Sequence, residues 1–84
     1  MKGDNKKMNR LRELREDRDL LQSDVSKILN VTQVAYSYYE LEKRQMPIDL
    51  LKILASYYNT SIDYILYITD EKKPYPKSVI ENEK

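Results

Sequence analysis

The sequence contains no cysteine and no histidine. Without cysteine there are no disulfides and no thiolate zinc sites. Without histidine, general acid–base chemistry near neutral pH falls to shifted carboxylates, lysine or tyrosine. An enzyme is therefore not expected, and no catalytic residue, metal ligand or cofactor is assigned. Glycine occurs once, at Gly3. No apolar run approaches the ~18 residues of a membrane span. Polar residues follow Met1-Lys2 instead of an apolar stretch, so no signal peptide is expected and the cytoplasm is the default compartment. A strong excess of one charge is also missing. The formal net charge is +1, which is weak support for a nucleic-acid partner. The distribution adds a little: from Lys2 to Arg15 there are six basic residues against two acidic ones. Solvated helix surface explains such clusters equally well.

What is present is helical periodicity. The 84 residues set a ceiling of one small domain with a modest core. The stretch Gln22 to Leu41, QSDVSKILNVTQVAYSYYEL, reads as two short helices joined by a tight turn. Val25, Ile28 and Leu29 form one apolar stripe. Asn30 tolerates the left-handed backbone region and suits a helix end. Thr32 is a good N-cap for the next helix. Tyr36 and Tyr39 share one face, while Gln33, Val34, Ser37 and Tyr38 lie toward the other. Helices this short bury a face only against each other and a supporting bundle, as in a helix-turn-helix.

The rest of the chain supplies that bundle. Met1 to Lys7 is polar and reads as a frayed arm. A first helix is predicted from about Met8 to Arg18, with Leu11 and Leu14 inward and Arg10, Arg12, Arg15 and Arg18 on its surface. Glu40 to Met46 is a charged connector. Pro47 suits the first turn of a fourth helix, in which Ile48, Leu51, Leu54, Ala55 and Tyr58 form the apolar pattern. Ser61 is an N-cap candidate for a fifth helix running to Ile68, with Asp63 favoured by the helix dipole. Beyond Asp70 the run is charged, carries two prolines and lacks periodicity, so it reads as a mobile tail. The prediction is an all-α, five-helix bundle. Its divisions are an arm over 1–7, a folded domain over 8–68 and a tail over 69–84.

With LRELRED, LLQSDVSKIL, NVTQVAYSYYE and EKRQMPIDLLKILASYYNTSIDYIL in this order and spacing, the chain resembles the lambda-repressor and Cro-like helix-turn-helix (XRE) family. The resemblance implies a role for particular residues. Gln33 matches the family's main base-contacting position, and Val34, Ser37 and Tyr38 match the other outward positions of that helix. Gln22 matches a phosphate contact that braces the recognition helix, and Lys43 and Arg44 match a loop that holds backbone phosphates. Thr32 is grouped with these phosphate contacts. Arg15 and Glu40 match a structural ion pair between the first and third helices. The chain departs from the family at Asp19, Asn30 and Glu42, where many members carry glycine. Tyr38 also stands where Arg or Lys is frequent, which predicts a shallower salt dependence. The chemistry is compatible with the roles: a glutamine amide can bridge adenine N6 and N7 in the major groove, and Val34 can touch a thymine methyl.

The resemblance implies a sequence-specific DNA-binding protein, a transcriptional repressor, that is constitutive or controlled by a partner. The alternative is a protein-interaction module on the same fold, such as an antitoxin. One such motif spans few base pairs, so a weak homodimer on a palindromic operator is expected. Tyr64, Tyr67 and Ile68 are left over from the core stripe of the fifth helix and are the expected dimer contacts. Tyr64 and Tyr67 capping the core with their rings is the competing explanation.

Overall fold

A computed structural model describes residues 7–78. The expected arm, apart from Lys7, and the end of the expected tail lie outside the described residues. Five helices follow one another: α1 Leu11–Asp17, α2 Gln22–Leu29, α3 Gln33–Glu40, α4 Ile48–Tyr57 and α5 Ile62–Ile65. No strand occurs among the described residues.

Local chemistry fixes the helix starts. The Thr32 hydroxyl accepts a hydrogen bond from Ala35 N at 3.0 Å, and the Ser61 hydroxyl accepts one from Tyr64 N at 3.0 Å, each satisfying an orphan first-turn donor. At α2 the Asp24 carboxylate accepts from Leu21 N at 2.8 Å. α1 begins later than predicted. Asn9 Oδ1 accepts from Leu11 N, and Arg10 N donates to Ile65 O at 2.7 Å. The backbone before Leu11 is therefore committed to other partners. α5 is also shorter than predicted, because Tyr67 leaves the helical region at φ 62°.

The helix ends share one device. Asp19, Asn30, Glu42, Asn59 and Tyr67 all have φ between 56° and 64°. Around each, two amides fold back onto the preceding turn. At Asn30 these are Asn30 N to Lys27 O and Val31 N to Ser26 O; at Glu42, Glu42 N to Tyr39 O and Lys43 N to Tyr38 O. This is the left-handed closure that usually employs glycine. Non-glycine residues adopt it at a cost, which is smaller for Asn and Asp than for Glu or Tyr.

Leu11, Leu14, Val25, Leu29, Tyr36, Tyr39, Leu51, Leu54, Ala55, Tyr58 and Ile65 form the buried core. Each large member contributes roughly 1.5–3 kcal/mol of burial. Two expectations are corrected. Ile48 is exposed, because the start of α4 meets the core through Leu51, with Met46 and Leu50 packed against it. Arg10 is buried instead of decorating the surface of α1. Residues 69–78 contain no helix but are tied to the bundle. Thr60 Oγ1 donates to Lys72 O, and Tyr75 Oη donates to Asp63 at 2.8 Å.

Candidate nucleic-acid interface

α2 and α3 pack against each other across the Asn30 turn, and α3 also meets α1. The inner side of α3 carries Tyr36 and Tyr39 into the core. Gln33, Val34 and Tyr38 are exposed and Ser37 is half-buried. These four follow i, i+1, i+4 and i+5 and so occupy one outward face. Ser37 Oγ donates to Val34 O at 2.8 Å. Thr32 is exposed next to this face, with its hydroxyl oxygen already accepting from Ala35 N.

Glu40 holds the other side of α3. Its side chain is only 4% exposed, yet it gathers four donors. Arg15 Nε donates to Oε2 at 2.6 Å and Arg15 Nη2 to Oε1 at 3.1 Å. Gln22 Nε2 donates to Oε1 at 3.1 Å, and Tyr36 Oη donates to Oε2 at 2.5 Å. Arg15 Nη1 continues to Leu20 O at 2.9 Å. One carboxylate, at the last residue of α3, thus links α1, the first residue of α2 and the inward Tyr36 of its own helix. Burial alone would raise the Glu40 carboxyl, but the hydrogen bonds from Arg15, Tyr36 and Gln22 outweigh it and hold it below the usual glutamate range. The Arg15 guanidinium is raised by its hydrogen bond to Glu40. Burial, then the bond to Glu40, raises the Tyr36 phenol. Burial pushes the nearby Tyr58 phenol up to about 12.

Gln22 is half-buried in this network and spends one of its amide hydrogens there, leaving Oε1 and a second N–H uncommitted. Lys43 and Arg44 are exposed in the loop that follows α3. Between them and the helix, the Glu42 carboxylate accepts from Met8 N at 2.9 Å.

Tyr64, Tyr67 and Ile68 do not form one patch. The Arg10 guanidinium lies 3.9 Å from the ring centroids of both Tyr64 and Tyr67. It also donates to Tyr64 O, to Thr69 O at 3.0 Å and to Asp70 at 2.7 Å. Tyr67 Oη donates to Glu13 at 3.1 Å. The two rings are therefore engaged within the chain. Ile68 is 67% exposed and lines a separate groove of about 530 Å³ with Met8, Met46, Ile48 and Leu66. Sequence reasoning missed Arg10 as the centre of this clamp. The available signal was a pair of tyrosines three residues apart, Tyr64 and Tyr67, with no core position of their own.

No helix among the described residues is long and apolar enough to cross a membrane. No cluster of three or more acidic side chains able to hold a metal ion occurs among them. A family model described as helix-turn-helix matches residues 11–65, from the first residue of α1 to the last of α5. The chain is 38% identical over 65 residues to an uncharacterized HTH-type transcriptional regulator, YobD, of Bacillus subtilis (strain 168). The match covers 77% of this chain and 58% of that protein. No solved structure matches. The chain belongs to the helix-turn-helix family, of the lambda-repressor and Cro-like (XRE) type.

Proposed function

We propose that this protein binds duplex DNA at a specific site and represses transcription, with α3 in the major groove. The observation that carries this reading is the two-sidedness of α3. One side is fastened to α1 and α2 through Glu40, while the other presents Gln33, Val34, Ser37 and Tyr38. A helix held in this way can offer side chains to base edges without rolling on its axis. Gln22, Thr32, Lys43 and Arg44 flank the face and serve as phosphate contacts that set the register. The folded unit over 8–68 acts as the binding domain, with the arm before it and residues 69–84 as an appendage. Its place is the cytoplasm, and its role is binding and not catalysis.

A second copy completes the unit. Ile68, together with exposed Met8 and Ile48, supplies an apolar surface, while Tyr64 and Tyr67 are held within the chain by Arg10 and Glu13. We assign this face to a weak homodimer on a palindromic operator with half-sites ~34 Å apart. Selection from random-sequence duplexes followed by mobility-shift titration tests the reading. Enrichment of an inverted repeat is expected, bound more tightly than random DNA. Equal affinity for every sequence would refute it. Sedimentation of Ile68→Asp against the parent tests the dimer face, and unchanged association would rule it out.

A further inference from the structure

We propose that Asn9 is a positioning residue for the DNA-backbone contacts. Its side-chain amide ties the end of α3, and with it the loop that carries Lys43 and Arg44, to the start of α1. The inference rests on the reading of Lys43 and Arg44 as phosphate contacts and adds the residue that aims them.

Residues 8–10 face two ways. Arg10 is anchored on the α5 side. Its backbone N–H donates to Ile65 O at 2.7 Å, and its buried guanidinium reaches Tyr64 O and Thr69 O. Met8 and Asn9 face the end of α3. Met8 N donates to the Glu42 carboxylate at 2.9 Å, and Asn9 Nδ2 donates to Tyr39 O at 3.1 Å. Asn9 Oδ1 accepts from Leu11 N at 3.0 Å. One amide therefore satisfies an orphan donor at the start of one helix and a carbonyl at the end of another.

A residue that only starts α1 needs nothing but the oxygen. The nitrogen is the part such a role leaves unused, and here it crosses to a residue 30 positions along the chain. Its target is a turn that needs holding. Tyr39 O also accepts from Glu42 N, and Glu42 takes the left-handed conformation at φ 64°, which is costly for a residue with a Cβ. Exposed Lys43 and Arg44 follow at once. The local bonds close the turn. The bonds from Met8 and Asn9 fix where the closed turn stands relative to α1.

Two substitutions separate the two halves of the amide. Asn9→Asp removes the donor and keeps an acceptor for Leu11 N, at the positive end of a helix. Asn9→Ala removes both and adds no charge. The probe is a duplex of random sequence, titrated over a range of salt. Asn9→Asp is expected to denature close to the parent, and Asn9→Ala earlier. Both are expected to bind about three- to tenfold more weakly, with a salt slope shallower by about 1 to 2, the share of two phosphate contacts. In a Lys43→Ala plus Arg44→Ala background, neither Asn9 substitution is expected to weaken binding further. An effect of added charge or of lost stability would persist without the two cations, so this background isolates the aiming of the loop. Parent-like binding and salt slope in both variants overturn the inference. So does an Asn9 loss that is undiminished in the background lacking the two cations. In these cases duplex binding by the parent still stands. A parent that binds no duplex at all refutes the DNA-binding reading, and the inference falls with it.

Discussion

Two arginines near the start of the domain, Arg10 buried and Arg15 half-buried, are held in opposite ways. Arg15 pairs with Glu40, a carboxylate that is itself buried at 4% exposure. Arg10 lies between two tyrosine rings and over two backbone carbonyls, and its acidic partners Glu13 and Asp70 are 59% and 95% exposed. In the first cluster both charges have lost most of their water, and each depends on the other. In the second, the cation is satisfied by π faces and carbonyl dipoles, and the acids remain solvated. The Arg15 cluster should therefore be sensitive to removal of either charge and to acid. The Arg10 clamp should be sensitive to loss of the arginine and nearly indifferent to loss of either acid.

The largest effect is expected at Arg15. Arg15→Met leaves Glu40 buried without its cation and should cost about 3–5 kcal/mol in chemical denaturation. A double-mutant cycle with Glu40→Gln should show strong coupling. Additive losses would mean that the pair is not energetically linked. The same cluster sets an acid limb. The folded-state pKa of Glu40 is lowered, so its contribution is complete above the ordinary value of about 4.3. It is lost as pH falls through the lower folded-state value. In Glu40→Gln this part of the acid dependence should disappear from a denaturation series.

Next in size is Arg10→Met, which orphans the carbonyls of Tyr64 and Thr69 and should cost about 2–3 kcal/mol. Asp70→Asn should cost less than ~1 kcal/mol. Equal losses from the two substitutions would show that the clamp is an ion pair after all, and the contrast with Arg15 would dissolve. The smallest effect is expected at a helix end. Glu42 adopts φ 64°, a conformation glycine reaches freely. Glu42→Gly should stabilise by about 0.5–1 kcal/mol, net of glycine's larger unfolded-state entropy. A thermal melt reads this directly. A loss of stability would show that the Met8 N to Glu42 bond outweighs the backbone strain.

The five helices were legible in the sequence because their signals are local. Thr32 and Ser61 announce helix starts by hydroxyl chemistry alone, and the Leu11/Leu14 and Leu51/Leu54/Ala55 spacings announce buried faces. The outward set Gln33, Val34, Ser37 and Tyr38 follows from the phase of one short helix whose inward tyrosines are identifiable. Burial that depends on distant partners was not legible. Arg10 is covered by rings 54 and 57 residues further on, and Ile48 is exposed although it fits the α4 pattern. The Tyr36 hydroxyl bonds a carboxylate within its own helix, and periodicity only marks its ring as inward. The length of α5 was misread because Tyr67 adopts a left-handed conformation that a tyrosine does not advertise.

The central claim is that the fastened helix α3 reads bases with its free face. Binding of Gln33→Ala to the selected site and to random duplex, in the same salt, tests it most directly. Gln33 is exposed, so the fold should survive. A loss of ~1–3 kcal/mol on the selected site, with random-sequence affinity unchanged, is the predicted result. Equal weakening on both, or none on either, would contradict it.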